Sequence, residues 1–182
     1  MISTDQVFVI VLTKRGGKGQ KDLSEIYLKV IRDKIAADME ARIINQNKSL
    51  KEILVLLKRN KLPYNDLKLN GNLFISYHDA DGKVIGAGGL EFHHSYALLR
   101  SVAVDEGQRG KEFGKEIVKD LLDRAKNKSI KEIYLLTETA HGFFLKRGFV
   151  DVARENVPTE IKASSEFASV CPVSAACMVY RF

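Results

Sequence analysis

The chain has 182 residues, 45% of them hydrophobic and 29% charged, which is typical of a soluble globular protein with a single core. Three prolines argue against a linker-dominated chain, and two cysteines, Cys171 and Cys177, are too few for a disulfide framework. No apolar run is long enough to span a bilayer, and the N-terminus lacks the features of a secretion signal, so we expect a cytoplasmic protein without membrane contact.

The net charge of +6 fits an anionic ligand and also allows weak contact with nucleic acid. The aromatic residues do not form a basic-aromatic stripe, and the four histidines show no zinc-ligand spacing. We therefore expect neither a nucleic-acid partner nor a metal. The opposing interpretation, in which the charge and a basic opening loop bind nucleic acid, predicts salt-sensitive association with DNA or RNA.

The first part of the chain predicts a strand at 7–12, an exposed loop at 14–21 and a helix that opens at Asp22. The loop, KRGGKGQK, lacks the spacing of a nucleotide-binding P-loop, so we interpret it as solvated. We treat residues 1–39 as an N-terminal extension of unknown role and residues 40–182 as the functional domain.

The functional domain alternates strand and helix patterns and predicts an α/β fold. Ser49 and Glu52 form a capping box for a first helix, Asp81-Gly82 predicts a hairpin, and Gly148 closes a short helix that starts at His141. A last helix is predicted from Pro158 to about residue 168. The predicted strands cover 41–44, 73–77, 84–92, 97–104, 132–137, 150–154 and 178–182.

The segment VAVDEGQRGKEFG, residues 102–114, joins an apolar strand to an amphipathic helix through a basic turn that contains glycine. Backbone N–H groups at the start of a helix, with cationic side chains beside them, bind phosphate well. The segment therefore predicts a ligand that carries a diphosphate. A solvated connection is the alternative interpretation of the same turn.

This order of elements, together with FFLKRGF at 143–149, resembles the GNAT superfamily of acyl-CoA-dependent N-acyltransferases. The superfamily pattern is Arg/Gln-x-x-Gly-x-Gly/Ala, in which Arg109 and Gly114 fill the first and last places and Glu112 replaces the middle glycine. The resemblance implies a mostly antiparallel central sheet, flanked by helices, with strands 97–104 and 132–137 as a splayed parallel pair. It also implies acetyl-CoA as co-substrate, and relatives commonly form homodimers.

Glu112 allows two outcomes. A carboxylate turned towards the diphosphate would repel it, and its Cβ would crowd the approach of the ligand to the backbone. A carboxylate turned towards solvent would instead complement the helix dipole by roughly 0.3–1 kcal/mol. Lys111 and Lys115 add positive charge nearby, which favours the second outcome.

The resemblance implies direct transfer of an acetyl group to an amine, which needs a base for the amine and an acid for the thiolate. Phe144 stands where many relatives carry the tyrosine that acts as the acid, and we expect it beside the pantetheine arm. The expected cofactor-binding residues are Val102, Ala103, Val104, Arg109, Gly110, Lys111, Glu112, Phe113, Gly114, Lys115 and Phe144.

Glu91 is the first candidate for the base because it ends an apolar strand, with Glu138 and His141 in reserve. Arg100 interrupts the strand ALLRSVAV, so it either anchors a carboxylate of the acceptor, with Glu91 beside it, or pairs with Glu91 or Glu138.

The segments GGLE, ALLRSVAV and LLTETAHGFF and the tail VPTEIKASSEFASVCPVSAACM resemble the arsenic-resistance subgroup, which is thought to acetylate small amino-acid-like toxic compounds. The predicted function is an N-acetyltransferase that acts on a small amine. A non-catalytic acyl-CoA-binding or regulatory module is the alternative, since Glu112 and Phe144 depart from the pattern.

Overall fold

The computed structural model describes Val30 and residues 39–182, and the strand and helix predicted within residues 7–35 lie outside the described part. The chain divides into two compact units, Met1–Asp33 and Lys34–Phe182. All strands and all helices given below belong to the second unit. The assignment of residues 1–39 to a separate extension stays a prediction.

One mixed sheet of seven strands forms the centre of the second unit. Its spatial order is β1-β2-β3-β4-β5-β7-β6, and every neighbouring pair is antiparallel except β4 and β5, which are parallel. The predicted α/β class, with a mostly antiparallel sheet and one parallel pair, is confirmed. The strands are β1 Glu40–Ile43, β2 Leu73–His78, β3 Val84–His93, β4 Tyr96–Val104, β5 Glu132–Thr137, β6 Val150–Asp151 and β7 Ala176–Arg181.

The helices flank the sheet as α1 Asn47–Arg59, α2 Phe113–Asn127, α3 His141–Leu145 and α4 Thr159–Lys162. A π-helix at Glu166–Val170 follows α4, and single 3₁₀ turns lie at Glu106–Gln108 and Arg154–Asn156. Within the described residues, no helix combines the length and apolar character that crossing a membrane requires.

Three local predictions are wrong in detail. Helix α1 starts before Ser49, because Gln46 occupies the N-cap without a side-chain hydrogen bond, so the expected capping box lies inside the helix. The predicted strand 150–154 ends at Asp151, where a 3₁₀ turn follows. The helix predicted from Pro158 is interrupted after Lys162 and resumes as the π-helix.

Helix α2 packs closely on one face of the sheet because two glycines in β3 leave room for its apolar side chains. A Cβ on Gly86 would lie 2.5 Å from Ile117 Cδ1, and a Cβ on Gly88 would lie 2.5 Å from Leu121 Cδ1. Ile117 and Leu121 are fully buried, and burial of each contributes about 1.5–3 kcal/mol. This contact fixes the start of α2 against the end of β4.

Helix α1 covers the opposite face of the sheet, where Ile53 and Leu57 pack with Phe74 and Ala103. A third apolar cluster joins Leu98 of β4 to Ile161 of α4 and to β5 and β7. The segment that contains α4 and the π-helix is thereby held close to the middle of β4.

Candidate functional site

The parallel strands β4 and β5 pair over three residues only and then separate. The register joins Tyr96 to Glu132, Ala97 to Ile133 and Leu98 to Tyr134, and no pair follows Leu98 within the described residues. Strand β4 nevertheless continues to Val104. Its backbone groups on the β5 side are therefore available to an extended ligand, which could pair with them as an added strand.

A bulge in β4 lies just beyond the point where the two strands separate. Ala87 pairs with Ala103 and Gly89 with Arg100, so one residue of β3 opposes two of β4, Ser101 and Val102. Ser101 has a φ of 58°, which is left-handed and unusual for a residue within a strand. Such a conformation costs of order 1–3 kcal/mol and concentrates at functional sites, and its effect here is to redirect the backbone next to the opening.

The turn after β4 leads directly into α2. Gly110 has a φ of 80° and Glu112 a φ of 63°, so both lie in the left-handed region. Glu112 is the N-cap residue of α2, and its carbonyl accepts the N–H groups of Lys115 and Glu116 at 2.9 and 3.2 Å. The first N–H groups of α2 have no acceptor within the helix, so they are free to bind an anion.

The Glu112 carboxylate points away from those N–H groups. It is 54% exposed, makes no hydrogen bond to the helix start, and lies 3.2 Å from the ammonium of Lys115. Arg109 donates to Asn60 Oδ1 at 2.6 Å, which ties the turn to the end of α1, and Lys111 donates to Gln108. Three cationic side chains therefore surround the helix start, and the carboxylate does not block it.

Gly114 packs closely against its neighbours at the helix start. A Cβ there would lie 3.3 Å from Phe143 Cε2 and 3.5 Å from Val104 Cγ2, so the first turn of α2, the end of β4 and α3 converge at this residue. Phe143, rather than Phe144, touches Gly114, and Arg147 stacks on the Phe143 ring at 3.4 Å from its centroid. Phe144 is 7% exposed and packs edge to face between Phe143 and Phe149.

Arg100 lies directly before the bulge and is almost fully buried, at 3% exposure. Its guanidinium donates to both carboxylate oxygens of Asp66 at 2.8 Å and to Glu91. Its Nε also lies 2.8 Å from Glu166 Oε2, although the two atoms are not aligned as a hydrogen bond. Three carboxylates thus face one guanidinium.

The charges of this group affect one another. Burial opposes the charge of Arg100, but the hydrogen bond to Asp66 and the charges of Glu166 and Glu91 outweigh it and raise the pKa of Arg100. For Asp66, the hydrogen bonds from Arg100 and Ser165 outweigh burial and lower the pKa. Burial dominates at Glu166 and raises its pKa to about 7.

The sequence predicts only two members of the group around Arg100, namely Arg100 itself and Glu91. Arg100 pairs with Glu91, as one interpretation predicts, and no ion pair joins it to Glu138 among the described residues. Glu138 is exposed just after β5, and His141 contacts Asp151 at 2.7 Å. Asp66 and Glu166 were not predicted, although Glu166 stands out as an acidic residue within the otherwise uncharged segment SSEFASV.

The two cysteines differ in their surroundings. Cys177 is buried in the third apolar cluster, as expected of a small apolar side chain, and burial raises its pKa to about 11. Cys171 is half-buried and its Sγ lies 3.6 Å from Glu166 Oε1. The described residues contain no cluster of three or more His, Cys, Asp or Glu side chains suited to a metal ion.

Comparison with known proteins identifies relatives of this arrangement. A model of the acetyltransferase (GNAT) family matches residues 45–149, a range that includes β4, the turn and α2. An amino-acid acetyltransferase of Mycobacterium tuberculosis (strain ATCC 25618 / H37Rv) is 33% identical over 84 residues, which make up 46% of this chain and 48% of that protein. The chain therefore spans about half the length of this curated relative.

Solved structures share the fold. A GNAT-family acetyltransferase of Staphylococcus aureus Mu50 matches with a TM-score of 0.62 and 20% identity, over 78% of this chain and 99% of that chain. N-acetylglutamate synthase of Neisseria gonorrhoeae, solved with coenzyme A and L-arginine, matches with a TM-score of 0.65 and 16% identity, over 79% of this chain and 33% of that chain. Since the family model covers more than half of the sequence, the chain belongs to the GNAT family of acetyltransferases.

Proposed function

We propose that the protein transfers an acetyl group from acetyl-CoA to the amine of a small, amino-acid-like acceptor. The observation that carries this proposal is the opening between β4 and β5, which lies next to a helix start that is rich in cationic side chains. The residues present fit the co-substrate, because the diphosphate needs free N–H groups and close backbone access, and the pantetheine arm needs an unpaired strand edge.

In this proposal the diphosphate binds the N–H groups of residues 110–114, namely Gly110, Lys111, Glu112, Phe113 and Gly114. The side chains of Arg109 and Lys115 lie beside it, because the Lys115 N–H already donates to the Glu112 carbonyl. Family membership and a neighbour solved with coenzyme A support the assignment. The pantetheine arm pairs with Val102, Ala103 and Val104, and an N–H near the bulge polarises the thioester carbonyl. Arg109 would exchange its contact with Asn60 for the phosphate.

The acceptor amine then approaches from the face of the sheet that carries Arg100, Glu91 and the π-helix. We assign the removal of its proton to this buried group of carboxylates, with Glu138 as the exposed reserve. The guanidinium of Arg100 already faces the carboxylates of Asp66 and Glu91, so we propose that Arg100 orients these carboxylates. Direct contact of Arg100 with a carboxylate of the acceptor would require displacement of Asp66. Phe144 cannot supply a proton to the thiolate, so the second proton of the amine serves that step.

The finer assignment to the arsenic-resistance subgroup, with a cytoplasmic homodimer as the working form, remains part of the proposal. The segments quoted above support it, and the amino-acid acetyltransferase among the relatives is compatible with an acceptor that contains an amino acid. A panel of α-amino acids and amino-acid-like arsenicals, tested as acceptors, separates this subgroup from other small-amine acetyltransferases.

Calorimetry with acetyl-CoA tests the co-substrate site directly. Gly114→Trp should abolish binding because a side chain there is directed at Phe143 and Val104, so an indole would displace the first turn of α2. Gly142→Trp should bind normally because a Cβ at Gly142 meets nothing within 4 Å. Equal affinity of both variants would contradict the assignment of the loop. Tight binding without transfer to any amine would instead favour the non-catalytic module.

A further inference from the structure

We propose, on the basis of the acetyltransferase function proposed above, that Glu166 is the base that deprotonates the acceptor. Its carboxylate accepts a proton from the ammonium of the acceptor, and the resulting neutral amine then attacks the thioester. Glu166 lies in the π-helix, outside the residues that the family model matches. The function proposed above assigns removal of the proton to the buried carboxylates as a group, and the present inference identifies the one that acts.

The position of Glu166 supports this role. Arg100, which Glu166 contacts, is two residues beyond Leu98, the last residue of β4 that pairs with β5, and it directly precedes the bulge at Ser101. Residues opposite each other in an antiparallel pair share a face, so Arg100, paired with Gly89, lies on the same face as Glu91. The carboxylates therefore meet at the opening, within a few residues of the segment assigned to the pantetheine arm.

The three carboxylates around Arg100 do not share its hydrogen bonds equally. Asp66, from the segment between α1 and β2, accepts two guanidinium N–H groups and the Ser165 hydroxyl. Glu91, from β3, accepts one guanidinium N–H. Among the described residues, the Glu166 carboxylate has only the unaligned approach of Arg100 Nε and a weak thiol donor, Cys171, at 3.6 Å.

Glu166 is consequently the member of the group whose anion is least stabilised, and a proton that binds the group resides there first. Its carboxylic side chain is 8% exposed, so burial further disfavours the anion. Burial is the largest cause, with the charges of Glu91 and Asp66 adding to it against the opposing charge of Arg100, and together they raise the pKa of Glu166 to about 7. A base acts best when its pKa lies near the working pH.

The ammonium of the acceptor gives one proton to a Glu166 carboxylate oxygen, and the freed nitrogen lone pair forms a bond to the thioester carbonyl carbon. The C–S bond breaks, its electron pair stays on sulfur, and the second nitrogen proton moves to that sulfur. The products are the acetamide and free coenzyme A, and Glu166 then releases its proton to solvent.

Kinetics over pH 5–9 test the proposal, with acetyl-CoA as donor and L-glutamate, L-glutamine, L-phenylalanine and glycinamide as acceptor probes. Glu166→Gln should lower kcat/KM at pH 8 by about 100-fold or more, the range that general bases contribute. The ratio of wild-type to variant kcat/KM should rise about tenfold per pH unit up to pH 7 and then level off, because ionisation of the amine itself is common to both proteins. Affinity for acetyl-CoA should stay unchanged.

Glu132→Gln is the matched control, since Glu132 also accepts from an arginine, Arg181, but lies at the paired end of β5. It should retain the wild-type rate and pH profile. A Glu166→Gln variant with wild-type rates and the same bend near pH 7 would overturn the proposal while leaving the proposed function intact. Acetyl-CoA binding without acetylation of any probe by the wild type would overturn both.

A second measurement does not depend on turnover or on the stability of Glu166→Gln. Carboxyl NMR of protein labelled with ¹³C-glutamate should show one resonance that titrates between pH 6 and 8 and is missing in Glu166→Asp. A Glu166 resonance that stays in one state over this range, or a titration midpoint below pH 6, would overturn the proposal.

Discussion

Replacement of Glu166 by Gln should change how the stability of the protein depends on pH. The folded protein holds this proton up to a pKa of about 7, whereas the reference carboxyl releases it near 4.5. Unfolding between these values releases a proton, so the contribution of Glu166 to stability is fully present below pH 4.5 and is lost as pH rises through 7. The rise in the pKa of Glu166 from 4.5 to about 7 corresponds to about 3 kcal/mol in all.

Urea denaturation at pH 5, 6, 7 and 8 measures this effect. The free energy of unfolding of the wild type, minus that of Glu166→Gln, should fall by about 2–3 kcal/mol between pH 5 and pH 8. Most of the change should occur below pH 7, because Glu166 of the folded protein loses its proton near that pH. The glutamine of the variant cannot ionise, so it adds no pH dependence of its own. Glu132→Gln should show no such trend. Parallel curves for the wild type and Glu166→Gln would refute the account of Glu166 as the protonated member of the group.

Three further substitutions give separate checks. Glu112→Gly should raise the free energy of unfolding by up to about 1 kcal/mol, because glycine adopts the φ of 63° without strain, and acetyl-CoA should bind as tightly or more tightly in calorimetry; weaker binding would show that the carboxylate organises the turn. Leu121→Ala should cost about 2–5 kcal/mol in urea denaturation, as expected for a fully buried leucine, and a cost below about 1 kcal/mol would contradict the packing of α2 on β3. Burial, aided by the charge of Glu166, raises the pKa of Cys171 to about 12. Iodoacetamide should therefore alkylate Cys171 faster in Glu166→Gln than in the wild type, because the thiolate forms more readily without the carboxylate. Equal rates would mean that the carboxylate does not act on the thiol.

The sequence predicts the central part of the fold well because its signals are local and strong. Apolar strands end at glycine or polar turns, Asp81-Gly82 joins β2 to β3, and α2 shows helical spacing of apolar residues. The order of these elements was enough to indicate the family, and the family model supports that prediction.

Elements whose bounds depend on tertiary contacts were predicted less well. Helix α1 begins at Asn47, only four residues after the end of β1 at Ile43, and Ile53 and Leu57 hold it on Phe74. The final helical segment breaks near Ser164, although its sequence carries no proline or glycine there. The apolar cluster of Leu98 and Ile161 holds this segment near β4, and no local pattern encodes the contact of Glu166 with Arg100.

The carboxylate group shows the same limit at the site. Asp66 and Glu166 are 100 positions apart in the sequence, and only the fold brings both to Arg100. Periodicity marks Arg100 as unusual because it interrupts an apolar strand, but it does not reveal how many carboxylates surround it. The turn before α2 was easier to identify, since its residues are contiguous.

The three-residue pairing of β4 with β5 is a short seam near the middle of the sheet, with β1–β4 on one side and β5, β7 and β6 on the other. Backbone hydrogen bonds contribute little across the seam, so the two halves stay together mainly through the apolar side chains beneath α2. A ligand that lies along the open edge of β4 would contact both halves of the sheet and hold them together. Occupancy of the site and resistance of the whole sheet to unfolding are therefore coupled, and amide exchange along β4 reports both at once.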